Sequence, residues 1–302
     1  MNSQPASCGG TMRTASGGRI DRQQPVQFQF NGQTLHGFAG DTVAATLLAH
    51  GRHLVARSFK YHRPRGILAA GVEEPNALLT VGQGAYTEPN IAATVIEAHN
   101  GLVTRTQNAW PSVAFDLMAV NNWLSSVFVA GFYYKTFMPS LKGWMFFEHF
   151  IRKAAGLGKA TKLPDPDHYH WHHGFPDVLV VGSGPAGLTA ALAAARAGLD
   201  VTLVEQDFVL GGSLLNHPAD SAAAQWLSDT LAALHDTGRV RLMTRASAFG
   251  LFDGNTVGVL ERSAPGLTDP AHGVPRQRLH ILRCQSVVMC CGALERPLLF
   301  AG

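Results

Sequence analysis

Between residues 26 and 38, apolar and polar positions alternate with a period of two, interrupted once by Asn31-Gly32. Residues 26–30 (VQFQF) and 34–38 (TLHGF) therefore predict two strands. The Asn-Gly pair predicts a tight hairpin turn, because both residues tolerate positive φ. The period then changes. Across residues 42–50 (TVAATLLAH) apolar side chains recur at helical spacing, with Asp41 read as the cap and Gly51 as the stop. Strand, hairpin, strand and helix in that order open a β-grasp fold of the ubiquitin-like or ferredoxin-like kind, assigned here to residues 25–105.

A second pattern begins at residue 176. Residues 176–181 (PDVLVV) are almost uninterruptedly apolar, which predicts a parallel strand buried on both faces. They run into Gly182-Ser183-Gly184-Pro185-Ala186-Gly187, a match to GxGxxG. An Ala/Leu-rich helix follows over residues 188–197 and stops at Gly198, and an apolar strand over residues 200–204 ends in Glu205. This is the opening of a Rossmann-like dinucleotide-binding domain, placed at residues 175–302 of an α/β chain. Each part has a physical task. Gly182 permits the tight strand-to-helix turn, Gly184 lets a pyrophosphate approach the backbone, and Gly187 lets the helix pack closely on the sheet. The helix mouth, with Pro185 and Ala186, offers amides and a positive dipole end to phosphate. Glu205, with Gln206 beside it, is placed to accept hydrogen bonds from the adenine ribose; an acid there suits the free 2′-hydroxyl of NAD or FAD and repels NADP.

Further along, Gly212 and Ser213 of the Leu-Gly-Gly-Ser turn are expected to lie along the cofactor. Residues 240–244 predict another strand, and residues 247–251, 256–261 and 278–283 a three-stranded meander. Ala248, at its start, is a candidate for backbone contact with adenine. Residues 286–291 predict a buried strand ending at Gly292, also a candidate cofactor contact, with Arg296-Pro297 beyond. A doubly wound sheet needs more strands than follow, so the domain reads as incomplete at its C-terminus and the chain as a fragment. No catalytic residue stands out.

Composition narrows the classes. A net charge of +3 over 302 residues is too small for a nucleic-acid binder, and the basic run at residues 57–65 (RSFKYHRPR) is short. Residues 1–24 lack the apolar core of a signal peptide and read as a disordered leader. Residues 127–134 are too few to cross a bilayer, which takes about 20 helical residues. The four cysteines, Cys8, Cys284, Cys290 and Cys291, show no CxxC spacing, which fits a reducing cytoplasm. Cys290 and Cys291, adjacent on a strand, point apart and bridge poorly. Residues 106–174 look irregular and aromatic, ending in a Pro/His-rich linker over 162–173. His168, His170, His172 and His173 there invite a metal reading, but a polar linker is the plainer one and no metal site is assigned.

Several stretches together resemble the α subunit of heterotetrameric sarcosine oxidases. They are residues 57–76 (RSFKYHRPRGILAAGVEEPN), 84–90 (GAYTEPN), 107–111 (QNAWP), 131–137 (GFYYKTF), 164–166 (PDP) and 177–205. The resemblance implies NAD in this chain's Rossmann domain, with FAD as the alternative. It implies β, γ and δ subunits, with FAD on the β subunit and FMN at the α/β boundary. It further implies oxidation of sarcosine to glycine, with hydrogen peroxide and 5,10-methylenetetrahydrofolate as products. Related complexes act on N-methylglutamate, proline or opines, and a non-catalytic scaffold with a structural nucleotide is the other alternative. Related dehydrogenases carry a [2Fe–2S] cluster in the first domain on Cys-x4-Cys-x2-Cys. Here that spacing falls on Leu68, Glu73 and Asn76, so the domain is expected to lack its cluster cysteines. For residues 57–65 the readings are contact with a flavin phosphate or ion pairs inside the assembly.

Overall fold

The computed structural model describes residues 10, 12–126, 131, 141–154, 156–264 and 274–293. These fall into two compact units that divide at Pro166 and Asp167, with Ser16–Arg19 grouped with the second. The apolar run at 127–134, the GFYYKTF stretch (Gly131 apart), Cys8 and Arg296-Pro297 lie outside the described residues. Among the described residues no helix is long and apolar enough to cross a membrane.

In the first unit β1 (Asp21–Phe30) and β2 (Gln33–Ala39) form the expected hairpin, turning at Asn31 (φ 50°) and Gly32 (φ 77°). The leader reading needs correcting at two places. Residues 21–24 belong to β1, and the Arg13 guanidinium clamps the Asp41 carboxylate at 3.0 and 2.7 Å. Asp41 is therefore not the helix cap. Its carboxylate is committed to Arg13 and the Phe38 amide, and the Thr42 hydroxyl caps α1 (Val43–Ala49) by accepting from Ala45 N–H. After the short ladder β3 (Ala56–Arg57) with β4 (Pro64–Arg65) come β5 (Leu78–Val81), β6 (Glu88–Ala92) and β7 (Val103–Thr106). The sheet order is β2-β1-β7-β5-β6, with β7 parallel to β1 and antiparallel to β5. The period-two residues Phe28 and Phe30 put their rings on one face with Leu35, and α1 closes over them with Val43 and Leu47.

Two residues of the basic run turn inward. Arg57 is buried, and its guanidinium donates to the carbonyls of His62, Val113 and Ala114. Asn108 accepts from the Arg57 amide and donates to its carbonyl. His62 Nδ1 meets Asp116 Oδ2 at 2.6 Å, both out of water. Residues 108–116 are thus tied to the grasp by side chains of that run. A helix, α2 (Leu141–Ala154), lies within the segment expected to be irregular.

The second unit opens with β8 (Tyr169–Gly174), inside the expected linker. Then follow β9 (Val178–Val181), α3 (Pro185–Arg196), β10 (Val201–Val204), α4 (Ala222–Asp236) and β11 (Val240–Met243). After them come β12 (Ala246–Phe252), β13 (Thr256–Arg262), β14 (Gln277–Arg283) and β15 (Ser286–Met289). A parallel sheet runs β11-β10-β9-β15, and a second sheet runs β12-β13-β14-β8, with β8 parallel to β14. The doubly buried strand behaves as its composition requires. Val178 and Val180 face Leu188 and Ala191 of α3 and Leu227 and Leu234 of α4. Leu179 and Val181 face Val257, Val259 and Leu282 of the second sheet. β15 is shorter and less buried than expected. It ends at Met289, which is exposed, because it borders only β9 in the described sheet.

The linker reading thus fails for residues 169–174, and the reason is tertiary. Their hydrogen bonds go to β14, which pairs His172 with His280, rings stacked at 5.3 Å. Among the described residues no group of three metal-ligating side chains gathers. His280 is fully buried, with Nε2 2.8 Å from Glu261 and Nδ1 lacking a partner. Burial pushes its pKa below the ordinary imidazole value, outweighing the upward pull of Glu261. The unfolded chain then binds the proton more readily, so this contribution to stability is complete above the usual pKa of about 6.5 and is lost as pH falls through the folded value. Mild acid should lower the melting temperature of the wild type more than that of His280→Gln; equal slopes would show that His280 is not the titrating group.

Candidate functional site

The strand-turn-helix at β9–α3 assigns a distinct job to each glycine. Gly182 has φ +102°, and a Cβ there would stand 2.3 Å from the Cys290 carbonyl oxygen. The end of β15 crosses directly beneath it, Cys290 N–H donating to the Val181 carbonyl at 2.7 Å. At Gly187 a Cβ would stand 1.9 Å from the Gly182 carbonyl oxygen. Gly184 differs. It caps α3 with extended backbone (φ −66°, ψ 179°), and a Cβ built on it meets nothing within 4 Å. Two of the glycines are demanded by the protein's own packing, whereas Gly184 faces open space at the helix mouth. Gly187→Ala should therefore cost stability, by about 1–3 kcal/mol or more from overpacking against main chain. Chemical denaturation reads this, and a midpoint equal to the wild type's would contradict the close approach.

Glu205 follows β10 directly and is 8% exposed. Its Oε2 accepts from the Ser183 amide at 2.9 Å and the Ser183 hydroxyl at 2.6 Å, and its Oε1 from the Asp207 amide at 3.0 Å. The Ser183 hydroxyl in turn accepts from Gly211 N–H at 3.0 Å. A Cβ on Gly212 (φ +52°) would sit 2.9 Å from the Gly184 Cα, so the Gly211-Gly212 turn backs onto the turn at Gly182–Gly187. Gly182, Gly184, Gly187, Glu205 and Gly212 thus form one cluster. An ionised carboxylate has about four lone-pair sites, and three bonds at Glu205 leave room for one more donor.

Pro185, Ala186, Gln206 and Ser213 border this cluster, all exposed. By helix geometry the first-turn amides of α3 lack a carbonyl one turn earlier, and they sit beside Gly184. Ala248 lies in β12, the first strand of the antiparallel β12-β13-β14 meander that follows the parallel strand β11. It is paired with Val259, two residues beyond Ala246, whose amide donates to the Glu205 carbonyl. Gly292 is exposed at φ +68° beyond β15. Sequence reasoning missed Ser183, fully buried, and the Gly211 amide. The only available signal was a hydroxyl residue inside the GxG turn, 22 residues from the acid it binds.

Two family models match the chain. Residues 23–109 match a 2Fe-2S iron-sulfur cluster binding domain, and residues 177–248 match an FAD dependent oxidoreductase. Residues 23–109 contain no cysteine. Such clusters are held by thiolates, and residues 23–109 offer none, so these residues do not fit one. The nucleotide site does fit its group, through the open cradle at Gly184 and the spare acceptor capacity of Glu205.

A sarcosine oxidase subunit alpha from Rhizobium meliloti (strain 1021) is 49% identical over 94% of this chain and 29% of the relative. A second, from Corynebacterium sp. (strain U-96), is 33% identical over 94% of this chain and 26% of the relative. The chain thus spans under a third of the length of these relatives. Among solved structures, L-proline dehydrogenase from P.horikoshii matches 95% of this chain and 43% of its own, with TM-score 0.55 at 18% identity, a likeness of fold. Along nearly its whole length, then, this chain is similar to part of the sarcosine oxidase α subunits.

Proposed function

We propose that this chain is the nucleotide-holding part of an α subunit in a sarcosine oxidase-type complex of the cytoplasm, and that the nucleotide is NAD. One observation carries the nucleotide reading: a glycine at a helix mouth, Gly184, whose missing side chain the fold itself does not require. The first-turn amides of α3 would take the pyrophosphate, with Gly212 holding the far side of the turn close. Glu205 would accept one ribose hydroxyl while staying anchored by Ser183 and Asp207. Gln206, Ser213, Ala248 and Gly292 are proposed as bordering contacts. A bound nicotinamide or flavin supplies a hydride acceptor or donor.

The reaction proposed for the complex is oxidation of sarcosine to glycine with formation of hydrogen peroxide, tetrahydrofolate taking the one-carbon unit as its 5,10-methylene derivative. It rests on the names and sequence similarity of the relatives, and β, γ and δ subunits are the proposed partners. No side chain of this chain is assigned to proton transfer from the amine. The family model over residues 177–248 favours a second reading, in which the nucleotide here is FAD.

Releasing the bound nucleotide from the purified protein and identifying it by mass decides between them. NAD is expected, and FAD would move the flavin into this chain while keeping the site. Recovery of NADP would contradict the role given to Glu205, whose charge opposes a 2′-phosphate.

A further inference from the structure

Residues 23–109 match a cluster-binding model yet hold no cysteine, and the loop over residues 68–77 is not empty of charge. Glu74 is buried at 3% exposure in the middle of residues 68–77. Its Oε2 accepts from the amides of Leu68 and Ala69, both at 2.7 Å. Its Oε1 accepts from the amides of Asn76 at 2.8 Å and Ala77 at 2.9 Å. These four main-chain donors occupy about the full acceptor capacity of a carboxylate. Burial pushes the Glu74 pKa up, but the amide bonds together pull it down further, and the net position is below the ordinary carboxylate value. The neighbouring Glu73 is only half-buried and reaches the Gly71 amide at 3.3 Å, while the Gly71 carbonyl accepts from the Thr94 hydroxyl at 2.6 Å.

Two of the four donors, Leu68 and Asn76, stand at positions the Cys-x4-Cys-x2-Cys spacing assigns to cysteine. A cluster presents sulfurs that take hydrogen bonds from the chain around it. A loop wrapped on one therefore turns amides inward, and burying those amides without an acceptor is costly. Here the inward amides converge on a carboxylate that belongs to the loop itself.

We propose that Glu74 is the built-in anion of this loop, taking the organising part that a metal cluster has in cluster-bearing domains of this family and letting residues 68–77 close without iron. The two Glu74 oxygens face amides from both ends of the loop, so one side chain holds the ends together. The inference is independent of the nucleotide site, which lies in the other unit.

The test compares amide hydrogen exchange in the full chain before and after Glu74→Gln. The glutamine NH2 would face two N–H donors, so exchange at Leu68, Ala69, Asn76 and Ala77 should quicken by about tenfold or more. Amides of β9 and β10 should keep their rates. Unchanged rates at the four loop amides overturn the proposal. A second arm uses Glu74→Ala with and without formate, a carboxylate small enough for the vacated nest. Formate should restore protection at the same four amides, and equal exchange with and without it counts against the proposal. Incubating the wild-type chain with ferrous iron and sulfide supplies the third arm. No cluster absorbance is expected, and uptake of a cluster overturns the idea outright.

Discussion

Gly184→Val should purify without nucleotide while remaining folded. The effect is expected to be near-total, because the valine branch would stand where phosphate must approach the α3 amides. The fold should tolerate the change. Gly184 has φ −66° and ψ 179°, an ordinary conformation for an L-residue before proline, and its Cβ direction is open. Nucleotide content after denaturation and the melting curve together check this. Full retention of the nucleotide would falsify its placement over Gly184. Loss of both nucleotide and fold would instead make Gly184 a packing residue like Gly187, where the added Cβ runs into main chain.

Removing the acid one strand over should cost less, and the loss should divide into two parts. Glu205→Ala is expected to weaken nucleotide binding by roughly 1.5–3 kcal/mol, about 10- to 150-fold, the range for a hydrogen bond to a charged group. It should also lower stability, since the Ser183 and Asp207 amides lose their acceptor. Ser183→Ala separates the two. It removes the 2.6 Å hydroxyl contact and the acceptor for Gly211 but leaves the carboxylate in place. Titration calorimetry on both variants should show a larger affinity loss for Glu205→Ala. Equal losses would mean that Glu205 acts through the loop rather than on the ribose, and an unchanged affinity would remove it from the site.

Much of this architecture could be read along the chain. The Phe28/Phe30 alternation, the Asn31-Gly32 turn and the apolar run ending at Gly182 are short-range patterns, and each produced the element it implied. The relation between Gly182, Gly184, Gly187 and Glu205 was legible for the same reason: one strand, one turn, one helix and one strand hold them at short sequence distance.

Other features had no local signature. The histidines of β8 look like linker residues until β14 arrives to pair with them. Nothing in the basic run marks Arg57 as the one whose guanidinium is taken up by the carbonyls of Val113 and Ala114. Glu73 and Glu74 are adjacent and chemically alike, yet one lies half-exposed and the other takes four amides in the interior.

Pattern along the chain was enough to name many of the elements and to place the glycine-rich strand-turn-helix, since backbone preference and periodic burial act over a few residues. Which polar groups go inside, and what satisfies them there, came from folding alone. A buried donor or acceptor must find a partner wherever the chain brings one, and here those partners sit on distant strands or on the main chain of a closed loop.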